Sequence, residues 1–347
     1  MKKLFIFLVA IALIGSYAMA ASAAEWNFYG QARVKTFWVN TDPAGGGSDS
    51  TSLDMQLPAN ARFGAKVKSG DVAGRIEFGS KGGVANRRLI YGTWNFGPGQ
   101  LLVGQGYTPV NTFYSRMENH DTIGMGNYGR IYNGRQPMLQ LKFDGFKLAL
   151  VAPHKITTIG VTGATGTTLS IPKIEASYSH SFNKFSLALL GGYQTYEVEG
   201  PIKSYEVDSY VYGIGGKLKL GSVYIGANLY SGQNLGQYGL TQKGNDDAFY
   251  NSTTDAIEDS STIGFLGVVG YVVNKSLSFE TGYGQNEHSR DTTGDDEVAA
   301  YYVNAKIVMA KGVYIIPEIG KIDFKNNING ADEGSHTYYG VKWQINF

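Results

Sequence analysis

The sequence predicts an all-β protein: a transmembrane, antiparallel, up-and-down β-barrel of about 16 strands. Three observations carry this expectation. Apolar and polar residues alternate with a period of two along most of the chain after residue 25. Tight turn signals and long polar connectors take turns between the alternating segments. An export leader precedes them all. A period of two puts successive side chains on opposite faces of a strand. An even strand number with short turns at one end and long loops at the other is the layout of a barrel in a membrane.

The leader comes first. Lys2 and Lys3 supply a positive start, residues 4–14 (LFIFLVAIALI) are apolar, and AMAASAAE offers small-residue cleavage sites. A membrane-anchor helix is the other reading, but the apolar run falls short of the ~20 residues a spanning helix needs. Residues 1–24 therefore read as a signal peptide and 25–347 as a single barrel domain. Of 30 Lys and Arg residues two lie in the leader, so the rest nearly balance 29 Asp and Glu. No bulk charge favours nucleic acid. The chain has no cysteine, hence no disulfide scaffold and no CxxCH haem attachment. It has 47 Gly, 24 Tyr and 17 Phe against 9 Pro, which suits strands joined by short turns.

Residues 26–38 (WNFYGQARVKTFW) set Trp26, Phe28, Ala32, Val34 and Trp38 on one face, with Asn27, Gln31, Arg33 and Lys35 on the other. Residues 59–78 repeat this around Ser69-Gly70-Asp71. Ala61, Phe63, Ala65 and Val67 oppose Arg62, Lys66 and Lys68; Val72, Ile76 and Phe78 oppose Arg75 and Glu77. Residues 88–96 alternate up to a Gly-Pro-Gly turn at 97–99. Further hairpins turn at Asp144-Gly145, Asn183-Lys184, Gly221, Asn274-Lys275 and Lys311-Gly312. One opening strand, seven hairpins and one closing strand make 16. Pro317 cannot donate to a ladder, which predicts a local bulge there. The long connectors are expected at 41–56, 80–86, 108–134, 154–170, 198–204, 232–260, 286–296 and 325–336.

Period alone does not say which face meets water. A soluble sandwich buries its apolar face; a wide barrel in lipid turns it outward and lines its lumen with the polar one. The leader, the strand number and aromatics near strand ends favour the membrane. The closing strand is then readable. Tyr339, Val341, Trp343, Ile345 and Phe347 face lipid, while Lys342, Gln344 and Asn346 face the lumen. Phe347 ends the chain at the interface, where an aromatic girdle belongs, and the strand pairs with residues 26–38 to close the cylinder.

Sixteen strands enclose an aqueous channel, whereas eight do not. The connector 108–134 (TPVNTFYSRMENHDTIGMGNYGRIYNG) is the candidate to narrow it. It carries Glu118 and Asp121, while the first strands aim Arg33, Lys35, Arg62, Lys66, Arg75 and Arg87 at the lumen. Folded inward, the loop sets its carboxylates against a basic wall and creates a transverse field. Left outside, it leaves these arginines as solvated lumen residues. No cofactor or metal is expected: the five histidines are scattered, with no HExxH. GMGNYG at 124–129 matches GxGxxG but lacks a βαβ context. There is no G-x-S-x-G elbow, and Asn251-Ser-Thr reads as loop composition. His180 lies among Ser177, Ser179 and Ser181, but in a strand it points away from them. A barrel serving as an enzyme platform, an adhesin or a sheath for an electron-transfer partner remains the alternative.

Strand number, loop rhythm and the aromatic closing strand resemble, over the whole mature chain, the trimeric general porins of Gram-negative outer membranes. The resemblance implies an outer-membrane homotrimer in lipid, short periplasmic turns, passive diffusion of small hydrophilic solutes and ions, and the loop after the fifth strand folded into the pore. It maps the acidic constriction residues onto Glu118 and Asp121, and the basic cluster onto Arg33, Arg62, Arg75 and Arg87. The loop lacks the short acidic signature of the enterobacterial members. An alternating segment ending in Phe also resembles the signal read by the barrel-assembly machinery.

Overall fold

The computed structural model describes residues 24–81, 83–119, 124–240, 243–244, 247–290 and 294–347. The leader at 1–23 and Asp121 lie outside them. Among the described residues, sixteen strands form the barrel. They are β1 (Glu25–Asp42), β2 in two pieces (Ser50–Gln56 and Arg62–Ser69), β3 (Val72–Lys81), β4 (Val84–Asn95), β5 (Gln100–Tyr107), β6 (Arg135–Phe143), β7 (Phe146–Val151) and β8, again in two pieces (Gly166–Thr168 and Lys173–Phe182). Next come β9 (Phe185–Glu199), β10 (Ser204–Leu220), β11 (Val223–Gln233), β12 (Ser261–Val272), β13 (Leu277–Ser289), β14 (Asp296–Ala310), β15 (Val313–Asp323) and β16 (Ser335–Asn346). A one-turn helix, α1 (Leu235–Tyr238), and a small hairpin (Phe249–Asn251 with Ala256–Glu258) sit in the loop before β12.

Every strand pairs antiparallel with its neighbours in sequence, and β16 pairs with β1 from Gln31↔Asn346 to Asp42↔Ser335. The sheet closes on itself and leaves no edge, as lipid requires of a backbone it cannot hydrogen-bond. The apolar face is the outer one. Trp26, Phe28, Phe63, Trp94, Tyr339, Trp343 and Ile345 are all exposed, whereas Lys35, Glu77, Glu175, Glu280, Glu318 and Lys342 on the opposite face are buried inside.

Four connectors are shorter than the alternation predicts, among them 286–296, where His288 pairs with Asp296. β1 continues to Asp42 and pairs Thr41 with Ser50, so 50–56 is strand. Lys81 pairs with Val84, and Glu199 with Ser204, which makes 80–86 and 198–204 tight ends. These ends run on past the long alternating segments: Leu53 and Met55 keep an outward apolar face at 50–56, while 80–86 and 198–204 hold glycine or proline turns. Pro317 interrupts the β14–β15 ladder: its pairs step from Asn304↔Glu318 to Ile307↔Ile315. The register shift itself lies between Val308 and Ala310, at the turn rather than at the proline.

A second shift, between Glu77 and Phe78 on the β3–β4 ladder, matters for the lumen. Leu89 pairs with Glu77 and Arg87 with Phe78, so Arg88 is the extra residue of a bulge. The bulge turns Arg88 inward, where it is 4% exposed, and leaves Arg87 on the outer face beside Phe78. The expected lumen role of Arg87 is thereby corrected: period two breaks at the bulge, and Arg88 takes the place.

Candidate functional site: a loop held against a basic wall

The first four strands build the wall around Glu77, which is fully buried. Its carboxylate accepts from Arg88 Nε at 2.7 Å, Tyr29 OH at 2.7 Å, Arg75 Nη2 at 2.9 Å and Arg62 Nη1 at 3.3 Å. One acid therefore organises three arginines from β2, β3 and β4. Gln31 ties in β1 by accepting from Arg33 Nη2 and Arg62 Nε, each at 2.7 Å. Lys35 pairs with Asp54 at 2.8 Å. Lys66 lies 5.9 Å from the centre of the Tyr29 ring. Of the residues predicted for this wall, Arg33, Lys35, Arg62, Lys66 and Arg75 lie on the inner face, and Arg87 does not.

The segment between β5 and β6 runs along the opposite inner wall. At its two ends Val110 N–H donates to Glu175 of β8 at 3.0 Å, and the Asn133 amide donates to the same carboxylate. Lys173 stands 3.5 Å from Glu175. Further along, Thr112 donates to Asn228 of β11 at 2.8 Å, and Asn228 donates to Gly129 O at 2.7 Å. Gly129 N–H donates to Asn286 of β13 at 2.7 Å. Arg116 N–H donates to Glu280 of β13 at 2.6 Å, and its guanidinium reaches Asn304 of β14 and Ser278. The backbone N–H groups of Glu118 and Asn119 donate to the Glu318 carboxylate of β15, and Lys342 of β16 donates to Glu118 at 2.6 Å. Arg130 lies between Phe113 and Tyr132, at 4.4 and 4.7 Å from their ring centres. Burial pushes its guanidinium down to about 10, so it stays charged at neutral pH.

Between segment and wall lies a cavity of about 620 Å³. Among the described residues eight cations line it, Arg33, Arg62, Lys81, Arg88, Arg116, Arg130, Arg135 and Lys342, with Glu118 as the one carboxylate. Glu118, read from the sequence as an acid facing the arginines, lines the cavity with them, is 6% exposed and is held by Lys342. Sequence reasoning missed Arg88, Arg116, Arg130 and Arg135. It placed Glu77 and Lys342 on the inner face without seeing what they bind. Glu77 shares the inner face with Arg75 two residues away, and an acid among lumen arginines was the available signal. His180, weighed as half of a Ser/His pair, stacks on Tyr178 and meets Phe182 edge-on on the outer face, away from Ser177.

A model of the Gram-negative porin family matches residues 8–327. The chain belongs to the Gram-negative porins. It is an outer-membrane channel for passive diffusion, and this family and fold point to a channel rather than an enzyme. No curated protein matches the sequence. Solved structures share the fold at low identity. The outer-membrane channel DcaP of Acinetobacter baumannii superposes with a TM-score of 0.72 at 17% identity, covering 95% of this chain and 100% of its own. An anion-selective porin from Comamonas acidovorans gives 0.63 at 13%, covering 93% and 100%. The in-vitro folded trimer form of OmpT of Vibrio cholerae gives 0.61 at 14%, covering 94% and 100%.

Proposed function

We propose that the segment 108–134 narrows this porin's channel, and that the opening it leaves passes small anions in preference to cations. One observation carries the reading: the acids beside the pore are buried and engaged within its wall, whereas Arg62 and Arg75, although both pair with Glu77, still reach water. Glu77, Glu118, Glu175, Glu280 and Glu318 are each 6% exposed or less. Each is engaged by an arginine, lysine, tyrosine, asparagine or backbone N–H. The side chains of Arg62 and Arg75 keep 20% and 27% of their surface in water. A fixed cation attracts an anion 4 Å away by about 1 kcal/mol in bulk water and ~4 kcal/mol at the lower effective dielectric near a protein surface. Several cations around one opening are thus enough to bias which ion enters.

In this reading Arg33, Arg62, Arg75, Arg88 and Arg135 set the preference, Lys35 and Lys66 add to it, and Glu118 anchors the loop. Asp121, outside the described residues, remains the loop's second candidate carboxylate. The barrel works as a homotrimer in outer-membrane lipid, supported by the trimer form of OmpT, and the barrel-assembly machinery inserts it. The test is the reversal potential of single channels under a KCl gradient. It should carry the sign of anion preference and move toward zero in R62Q/R135Q. A cation-signed potential in the parent would refute the preference.

A further inference from the structure

We propose that the short-turn end of the lumen holds a second anion station: a site for a dianionic oxyanion of the phosphate type, built on Lys142 and Lys147. It rests on the anion reading above and adds a binding site that the arginine-lined cavity does not contain. The two lysines are direct cross-strand partners on β6 and β7. Both face the lumen, because Leu141 and Phe143 on β6, and Phe146 and Leu148 on β7, take the outer face. Lys142 is exposed and Lys147 half-buried. Among the described residues neither forms an ion pair with a carboxylate.

Two like charges directly opposite one another on a sheet repel and destabilise the pair. Elsewhere in this lumen the same conflict is relieved. Lys35 and Lys342 are also cross-strand partners, and they are answered by Asp54 and Glu118 respectively. At Lys142–Lys147 no protein acid answers, which leaves a place for a solute acid.

The flanks suit that solute. Register sets Gln100 of β5 beside Lys142 and Ser177 of β8 beside Lys147, so four polar side chains stand in one row on adjacent strands. Neighbouring strands are about 4.8 Å apart. Gln100 gives one amide hydrogen to Asn95 and keeps the other, and Ser177 contributes a hydroxyl. Two ammonium groups matched to two negative charges, with neutral donors on either side, favour a compact dianion over a monovalent one. Arg135 lies at the other end of β6, roughly 23 Å away at the rise of an extended strand. An anion leaving the arginine-lined cavity thus meets a second attractive point before the exit.

The experiment records single-channel chloride current while inorganic phosphate is added on the short-turn side, with formate as the monovalent control. Phosphate should reduce the current in a saturable way and formate should not. In K142Q/K147Q the half-blocking concentration should rise about tenfold or more, as expected for losing charge-assisted contacts. The chloride reversal potential should not change, because the cavity arginines are untouched. Equal block in parent and variant, or equal block by formate, overturns the site. K142R/K147R keeps both charges and should keep the block; if the glutamine variant fails to fold, the single substitutions K142Q and K147Q carry the test. Loss of anion preference in R62Q/R135Q with phosphate block intact would separate this site from the arginine-lined cavity.

Discussion

Lys342 of the closing strand donates a hydrogen bond to Glu118 at 2.6 Å across 224 residues of chain. The contact ties the tip of the inner segment to the seam of the barrel, and both side chains are nearly dry. Removing one partner of a buried pair typically costs about 3–5 kcal/mol, because the other is left charged and alone. The barrel has many other contacts, and Glu318 still holds the Glu118 and Asn119 backbone. The loss should therefore fall on the segment. Glu118→Gln should raise open-channel noise. Combined with Asp121→Asn it should shift permeability further toward anions. Unaltered noise and reversal potential would show that this contact neither steadies nor tunes the pore.

Glu77 is the opposite case, a single acid whose loss touches the wall itself. Glu77→Gln leaves Arg62, Arg75 and Arg88 facing one another with no charge between them. Leaving several buried or half-buried cations unanswered should cost ~3 kcal/mol or more. The folded barrel should convert to the unfolded form at a clearly lower temperature on heating in detergent. A conversion temperature equal to the parent's would mean that the arginines relax into water at no cost.

The two cases show what the sequence could reveal. Strand number, closure and the sense of each face were legible, because lipid forces an outward apolar residue at every second position. Arg87 was misplaced because a bulge adds one residue and inverts the period, and nothing in RRLIY marks it. The fate of Glu118 was illegible for another reason. Its partners, Lys342 and Glu318, are ordinary inward residues of distant strands, and only closure brings them to the loop. Extended ladder ends were missed because their alternating runs, such as Leu53 and Met55, are short and sit beside glycine- or proline-bearing turns.

Gly129 sets the inner segment hard against the barrel wall. Its φ of +78° lies in the left-handed region, and a Cβ there would overlap the carbonyl oxygen of Phe265 and stand 2.7 Å from Gln285 N. Glycine is required on both counts. Gly129→Ala must lift the segment from β12 and β13 and break the bonds to Asn286 and Asn228. A segment displaced from the wall moves toward the pore axis, so single-channel conductance should fall while the barrel's heat stability stays near that of the parent. Parental conductance in this variant would count against the segment as the narrowing element.

Phe347 supplies the last rung of the seam. Its N–H donates to Gly30 O at 3.0 Å, and Gly30 N–H donates to Phe347 O at 2.7 Å. The ring lies over Gly30, where any side chain would overlap it, and turns its outer surface to lipid. Deleting Phe347 removes both bonds, worth about 1 kcal/mol each, and the terminal aromatic with them. Phe347→Ala removes the ring alone. The deletion should lower the yield of folded barrel both in cells and on refolding in detergent, with the conductance of the surviving channels unchanged. If the terminal aromatic is an assembly signal, the alanine variant should refold in detergent nearly as well as the parent but accumulate poorly in cells. Normal amounts of membrane-inserted protein after the deletion would show that the seam closes without its last rung.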